Sequence, residues 1–92
     1  MAEAQQRRRL QVRGRVQGVA FRACTRDAAA QVGANGWVRN REDGSVEAVI
    51  EGSATQVRAM LAFCREGPRF ARVDELDVQA EPPEGLRGFE IR

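Results

Sequence analysis

The stretch Trp37-Val-Arg-Asn-Arg-Glu-Asp-Gly-Ser-Val-Glu-Ala-Val-Ile50 decides how the chain folds. Trp37 to Arg41 reads as a strand, and Asp43-Gly44 is a tight-hairpin signal because both residue types tolerate the positive φ that such turns need. Val46, Ala48 and Ile50 then alternate on one face of a returning strand. A hairpin in the middle of 92 residues leaves room for one strand and one helix on each side of it, and both sides carry them.

Before the hairpin, Leu10, Val12, Gly14 and Val16 alternate with Gln11, Arg13 and Arg15, the pattern of a half-buried strand. Phe21, Cys24, Ala28 and Val32 recur at helical spacing and Gly33 can close the turn, so a helix is predicted over about 22–32. After the hairpin, Ser53-Ala-Thr-Gln56 fits a capping box; Val57, Met60, Leu61 and Cys64 follow at helical spacing, and Gly67-Pro68 stops the helix. Leu76, Val78 and Ala80 mark a fourth strand, Pro82-Pro83 breaks it, and Gly88 to Ile91 form a short terminal strand. The order βαββαβ predicts an α+β, ferredoxin-like sandwich: an antiparallel sheet with two helices on one face, in a single domain over residues 1–92. Residues 1–6 are polar and read as a flexible N-terminal arm, with Arg7 to Arg9 as a solvated strand start.

All fifteen basic residues are arginine, and the chain has no Lys, His or Tyr. It therefore lacks an ordinary base at neutral pH, a Schiff-base amine and an imidazole metal ligand. The hydroxyls of Ser45, Ser53, Thr25 and Thr55 have no partner to activate them. A cysteine phosphatase needs Arg six residues after its Cys, yet Ala30 and Phe70 stand there after Cys24 and Cys64. Both cysteines read as buried thiols, and neither a metal nor a cofactor is expected. No apolar run is long enough for a bilayer span or a signal h-region, so the expected location is the cytoplasm, without a membrane partner.

Between the first strand and the first helix lies Gly14-Arg-Val-Gln-Gly-Val-Ala-Phe-Arg22, a cationic loop with no acid in it. A loop that enters a helix presents backbone amides and a positive helix end, both of which favour an anion. Gly18 allows close approach, and Arg22 in the first turn adds a two-pronged cation. The spacing fits neither a Walker loop nor the dinucleotide GxGxxG pattern, and it suits one small anion.

Val12-Arg-Gly-Arg-Val-Gln-Gly-Val-Ala-Phe-Arg22, with Gly36-Trp-Val-Arg-Asn-Arg-Glu-Asp-Gly-Ser-Val46 and Gly52, resembles the two signature segments of the acylphosphatase family, small hydrolases of the carboxyl–phosphate bond. Gly67-Pro68, Ala71-Arg-Val73 and Phe89-Glu-Ile-Arg92 extend the resemblance over nearly the whole chain, while Gln31-Val-Gly-Ala-Asn35 departs from the family's more leucine-rich turn. The resemblance implies the ferredoxin-like sandwich, Arg22 and Asn40 as catalytic residues, and a phosphate cradle on Arg15, Val16, Gln17, Gly18, Val19 and Arg22. It further implies a small-molecule acyl phosphate as substrate and inorganic phosphate as product and inhibitor; the family also includes domains of hydrogenase-maturation proteins, but a chain of this length is expected to be a free-standing enzyme and a monomer.

That chemistry suits the inventory. The leaving carboxylate has a conjugate acid with a pKa of roughly 4 to 5, so it needs no general acid at pH 7. Asn40 is no base, but its amide can orient a water. Taken alone, Asn40 also reads as a turn residue beside the hairpin, Trp37 as a packing residue, and Arg39 and Arg41 as solvated. Two rival readings remain: a small-anion binding domain without turnover, and an RNA-binding module of the same element order, for which base-stacking aromatics are few.

Overall fold

A computed structural model describes residues 4–92; residues 1–3 of the expected arm lie outside the described residues, and the first strand already begins at Gln6. The elements are β1 (Gln6–Arg15), α1 (Phe21–Val32), β2 (Asn35–Asn40), β3 (Val46–Gly52), α2 (Ala54–Glu66), β4 (Arg72–Glu81) and β5 (Phe89–Ile91). The strands lie in the order β4-β1-β3-β2-β5, with both helices packed on one face of this ferredoxin-like sheet.

The first four strands pair antiparallel, as expected, whereas β5 lies parallel to β2 and makes the sheet mixed. Direction explains the difference. The chain leaves β4 at the edge where β1 and β2 begin, crosses beneath them, and can only run up beside β2. Glu51, at the end of β3, holds this crossing by accepting from the backbone amides of Glu84 (2.8 Å), Gly85 (3.0 Å) and Leu86 (3.0 Å).

Leu10, Val12, Val38, Ala48 and Ile50 of the sheet meet Phe21, Ala29, Val57, Met60 and Cys64 of the helices in the core. Each such large apolar side chain contributes about 1.5–3 kcal/mol on full burial. The buried line of α1 is Phe21, Thr25 and Ala29, so it is rotated from the expected stripe and leaves Cys24 half-buried, while Cys64 is fully buried. Thr25 fits inside because its hydroxyl donates to the Phe21 carbonyl at 2.7 Å. The capping box of α2 is present in both directions: Gln56 N donates to Ser53 Oγ at 3.2 Å and Ser53 N to Gln56 Oε1 at 2.9 Å.

Arg7 to Arg9 are not a solvated run. Arg7 is 4% exposed, with Nη1 2.7 Å from Glu51 Oε2 and Nε 2.8 Å from Glu81 Oε1; Arg9 bonds Glu81 and Glu47 at 2.7 and 2.8 Å. The antiparallel register brings these acids opposite β1 from both neighbouring strands, on the sheet face away from the helices. Burial alone would raise the Glu47 and Glu51 pKa values, but hydrogen bonds from Arg39 and Arg9 to Glu47, and from the Glu84 amide and Arg7 to Glu51, hold both below the ordinary carboxylate value. Trp37 packs on this face as expected, with the guanidinium carbons of Arg9, Arg39 and Arg92 at 5.7, 5.4 and 4.9 Å from its ring centre.

Candidate active site

β1 and β2 run toward the same end of the sheet, where the loop after β1, the start of α1, the end of β2 and Ile91 of β5 surround a hollow of about 190 Å³. Val16 and Gly18 line it from the loop, Ala20 to Ala23 from the helix start, and Asn40 from the last position of β2. Arg22 and Asn40 thus share one cavity.

The five loop residues expected in the cradle divide between wall and support. Val16 and Gly18 face the hollow; Arg15 remains in β1 opposite Arg72, and half-buried Val19 packs against the core. Gln17 turns to the hairpin, its Nε2 donating to the carbonyls of Arg41 (2.8 Å) and Ser45 (3.0 Å). No backbone carbonyl among the described residues accepts from the amides of Gln17, Gly18 or Val19.

The two glycines of the loop serve different ends. A Cβ on Gly14 (φ 133°) would collide with the Arg72 carbonyl, so Gly14 lets β4 close on β1 at the bulge between Arg13 and Gly14. A Cβ on Gly18 (φ 75°) would meet nothing within 4 Å, so its positive φ, not crowding, calls for glycine.

Ala20 caps α1 in the left-handed conformation (φ 62°, ψ 26°) without a capping side chain, and the first turn holds no acid. This geometry costs a non-glycine residue about 1–2 kcal/mol, and it leaves the first-turn amides and the positive helix end open to the hollow. Among the described residues no carboxylate lies within ion-pair reach of Arg22. Asn40 Oδ1 is the one buried side-chain polar atom among the described residues without a hydrogen-bond partner.

Ala20, Phe21, Ala23 and Ile91 are the wall residues that sequence reasoning did not assign. Nothing in the sequence marks Ala20 as left-handed, and the side of β2 that β5 joins is a matter of register. A larger hollow of about 260 Å³ lies on the open sheet face around Arg9, Gln11, Arg41 and Glu47, where the nearby carboxylate already matches the arginines. Among the described residues no three His, Cys, Asp or Glu side chains form a metal-holding group, and no helix is long and apolar enough to cross a membrane.

The family model described as Acylphosphatase matches residues 8–91. The chain belongs to the acylphosphatase family. An acylphosphatase of Haloarcula marismortui is 56% identical over 81 residues, covering 88% of this chain and 89% of its own, and one of Rubrobacter xylanophilus is 51% identical over 92 residues, covering 99% and 84%. The crystal structure of acylphosphatase from Bacillus subtilis superposes with a TM-score of 0.91 at 34% identity, covering 95% of this chain and 98% of that one. The chain is thus an enzyme of the acylphosphatase family, with the family's fold.

Proposed function

We propose that the chain hydrolyses the carboxyl–phosphate bond of small-molecule acyl phosphates, with the phosphoryl group held by Arg22 and the amides that follow Arg15, and with the attacking water held by Asn40. One observation carries the reading: an arginine without an acidic partner and an asparagine whose buried Oδ1 lacks a hydrogen bond line the same small hollow.

A buried acceptor left unpaired costs about 1–3 kcal/mol, and an O–H of water relieves that cost while fixing where the water's lone pair points. The water oxygen attacks phosphorus in line as the bond to the acyl oxygen breaks, its electron pair leaving with the carboxylate. The water's proton passes to a phosphate oxygen. Phosphoryl transfer asks of the protein mainly position and compensating charge, which Arg22, the loop amides and the end of α1 supply. Inorganic phosphate fits the same cradle and competes with substrate.

The decisive experiment follows hydrolysis of benzoyl phosphate without added metal by the parent protein and by folded Arg22→Ala and Asn40→Ala proteins. Turnover by the parent is expected to fall by about 10²-fold or more in each variant, and Arg22→Ala is expected to lose phosphate inhibition as well. With no titrating group of the protein in the reaction, the rate should stay flat between pH 6 and 8. A parent that binds phosphate but turns nothing over would be an anion-binding domain. The RNA-binding reading finds little support on the open sheet face, where the arginines are ion-paired and Trp37 sits buried among three guanidinium groups.

A further inference from the structure

The strand order places β4 and β5 on opposite flanks of the loop that leaves β1. Asn40 and Ile91 belong to the β2–β5 flank. The other flank carries the turn from α2 into β4, residues 67–71, and two observations seat it beside the cradle. Arg72 and Val73 pair with Arg15 and Gly14 at the outgoing end of β1, and Gly67 lies so near Phe21, at the start of α1, that a Cβ on it would come within 3.5 Å of the ring's Cε2. This turn presents Phe70, 72% exposed and the most exposed large apolar side chain among the described residues, with the Arg69 guanidinium carbon 5.5 Å from its ring centre. A lone exposed phenylalanine is ordinary on a protein surface; one stacked with a cation, on the turn that flanks the loop after β1, presents an apolar face and a charge together.

We infer that Phe70 and Arg69 form the rim that recognises the acyl half of the substrate, and that the favoured substrates are aryl or bulky apolar acyl phosphates. The inference rests on the hydrolase reading and adds to it the direction of departure. In-line displacement puts the leaving group opposite the attacking water; with the water at Asn40, the carboxylate departs away from β2, toward the β4 flank. An aryl group on that side covers the exposed ring of Phe70. The carboxylate that forms as the P–O bond breaks meets the fixed charge of Arg69. An acetyl group offers too little surface to reach the ring.

The test compares benzoyl phosphate with acetyl phosphate for the parent, Phe70→Ala and Phe70→Trp, with the inhibition constant of inorganic phosphate as the internal control. Phe70 is exposed, so both variants are expected to fold, which thermal melts check. Phe70→Ala should raise KM for benzoyl phosphate by about three- to tenfold, leave acetyl phosphate within about twofold, and leave phosphate inhibition unchanged; Phe70→Trp should restore the benzoyl preference. Equal changes for the two substrates, or none for either, overturn the rim while the hydrolase reading stands. A parent inactive on both substrates overturns both.

Discussion

Gln17 Nε2 bridges the carbonyl oxygens of Arg41 and Ser45, at 2.8 and 3.0 Å, so the loop proposed to cradle phosphate is tied to the turn directly after Asn40. This one side chain links the two stretches that carry the proposed site residues. Gln17→Leu should lower kcat/KM by about tenfold, the scale of a small misplacement of reacting groups, and cost about 1–2 kcal/mol of stability, the net worth of two hydrogen bonds of which one is part-buried. Steady-state kinetics with urea unfolding checks both. Unchanged kinetics would mean that the loop holds its place without the bridge.

The buried ion pair predicts an acid limit. Glu51, Glu47 and Glu81 all have folded-state pKa values below the ordinary 4.5, that of Glu81 at about 2 through its bonds to Arg9 and Arg7. A carboxylate depressed in the folded state contributes stability that is fully present above the unfolded pKa and lost as pH falls through the folded one. Stability should therefore decline steadily from about pH 4.5 toward 2. Glu51→Gln should cost about 3 kcal/mol at pH 7, because it strips charge from the most buried of the three carboxylates around Arg7, and the gap between parent and variant should narrow as the pH falls. A gap that does not change with pH would show that charge is not what Glu51 contributes.

The two loop glycines should separate in stability. Gly14→Ala must push the Arg72 carbonyl away and is expected to lower stability by about 2 kcal/mol or more, a fall in Tm of about 10 °C. Gly18→Ala meets no neighbour within 4 Å and carries only the conformational cost, about 1–2 kcal/mol. Its methyl group enters the cradle region, so phosphate inhibition should weaken more than the fold does. Thermal melts and phosphate titration give the order, and equal melts would contradict it.

The two thiols should differ as well. Burial pushes the Cys64 thiol up to about 12, whereas Cys24 is half-buried on α1. A thiol reagent at pH 8 should modify one equivalent in the native protein and the second only on unfolding. Rapid modification of both would place Cys64 nearer the surface than its packing allows.

The elements were legible wherever a local rule governs them: alternation in β1, the Asp43-Gly44 turn, the Ser53–Gln56 capping box and Gly33 after α1. Arg22 and Asn40 were legible through the two motifs that carry them, and the chain places them in one cavity. What the sequence hid depends on register. Arg7 and Arg9 look solvated until β3 and β4 bring Glu51, Glu47 and Glu81 opposite them. Cys24 is only half-buried because Thr25, whose hydroxyl bonds within its own helix, takes the inward position, and β5 is parallel because of the edge at which β4 ends.

The ion pairs of Arg7 also bear on how the chain reaches its fold. Arg7 lies in β1, but two of its partners, Glu51 and Glu81, stand 44 and 74 residues further along, and Glu84 lies beyond them. Its guanidinium must stay hydrated until both neighbouring strands have arrived, because one partner alone does not repay its dehydration. Closure of the sheet around β1 therefore depends on contacts distant in the sequence, the kind that slows folding. A half-made chain keeps a charged, water-bound strand where an apolar one would invite aggregation.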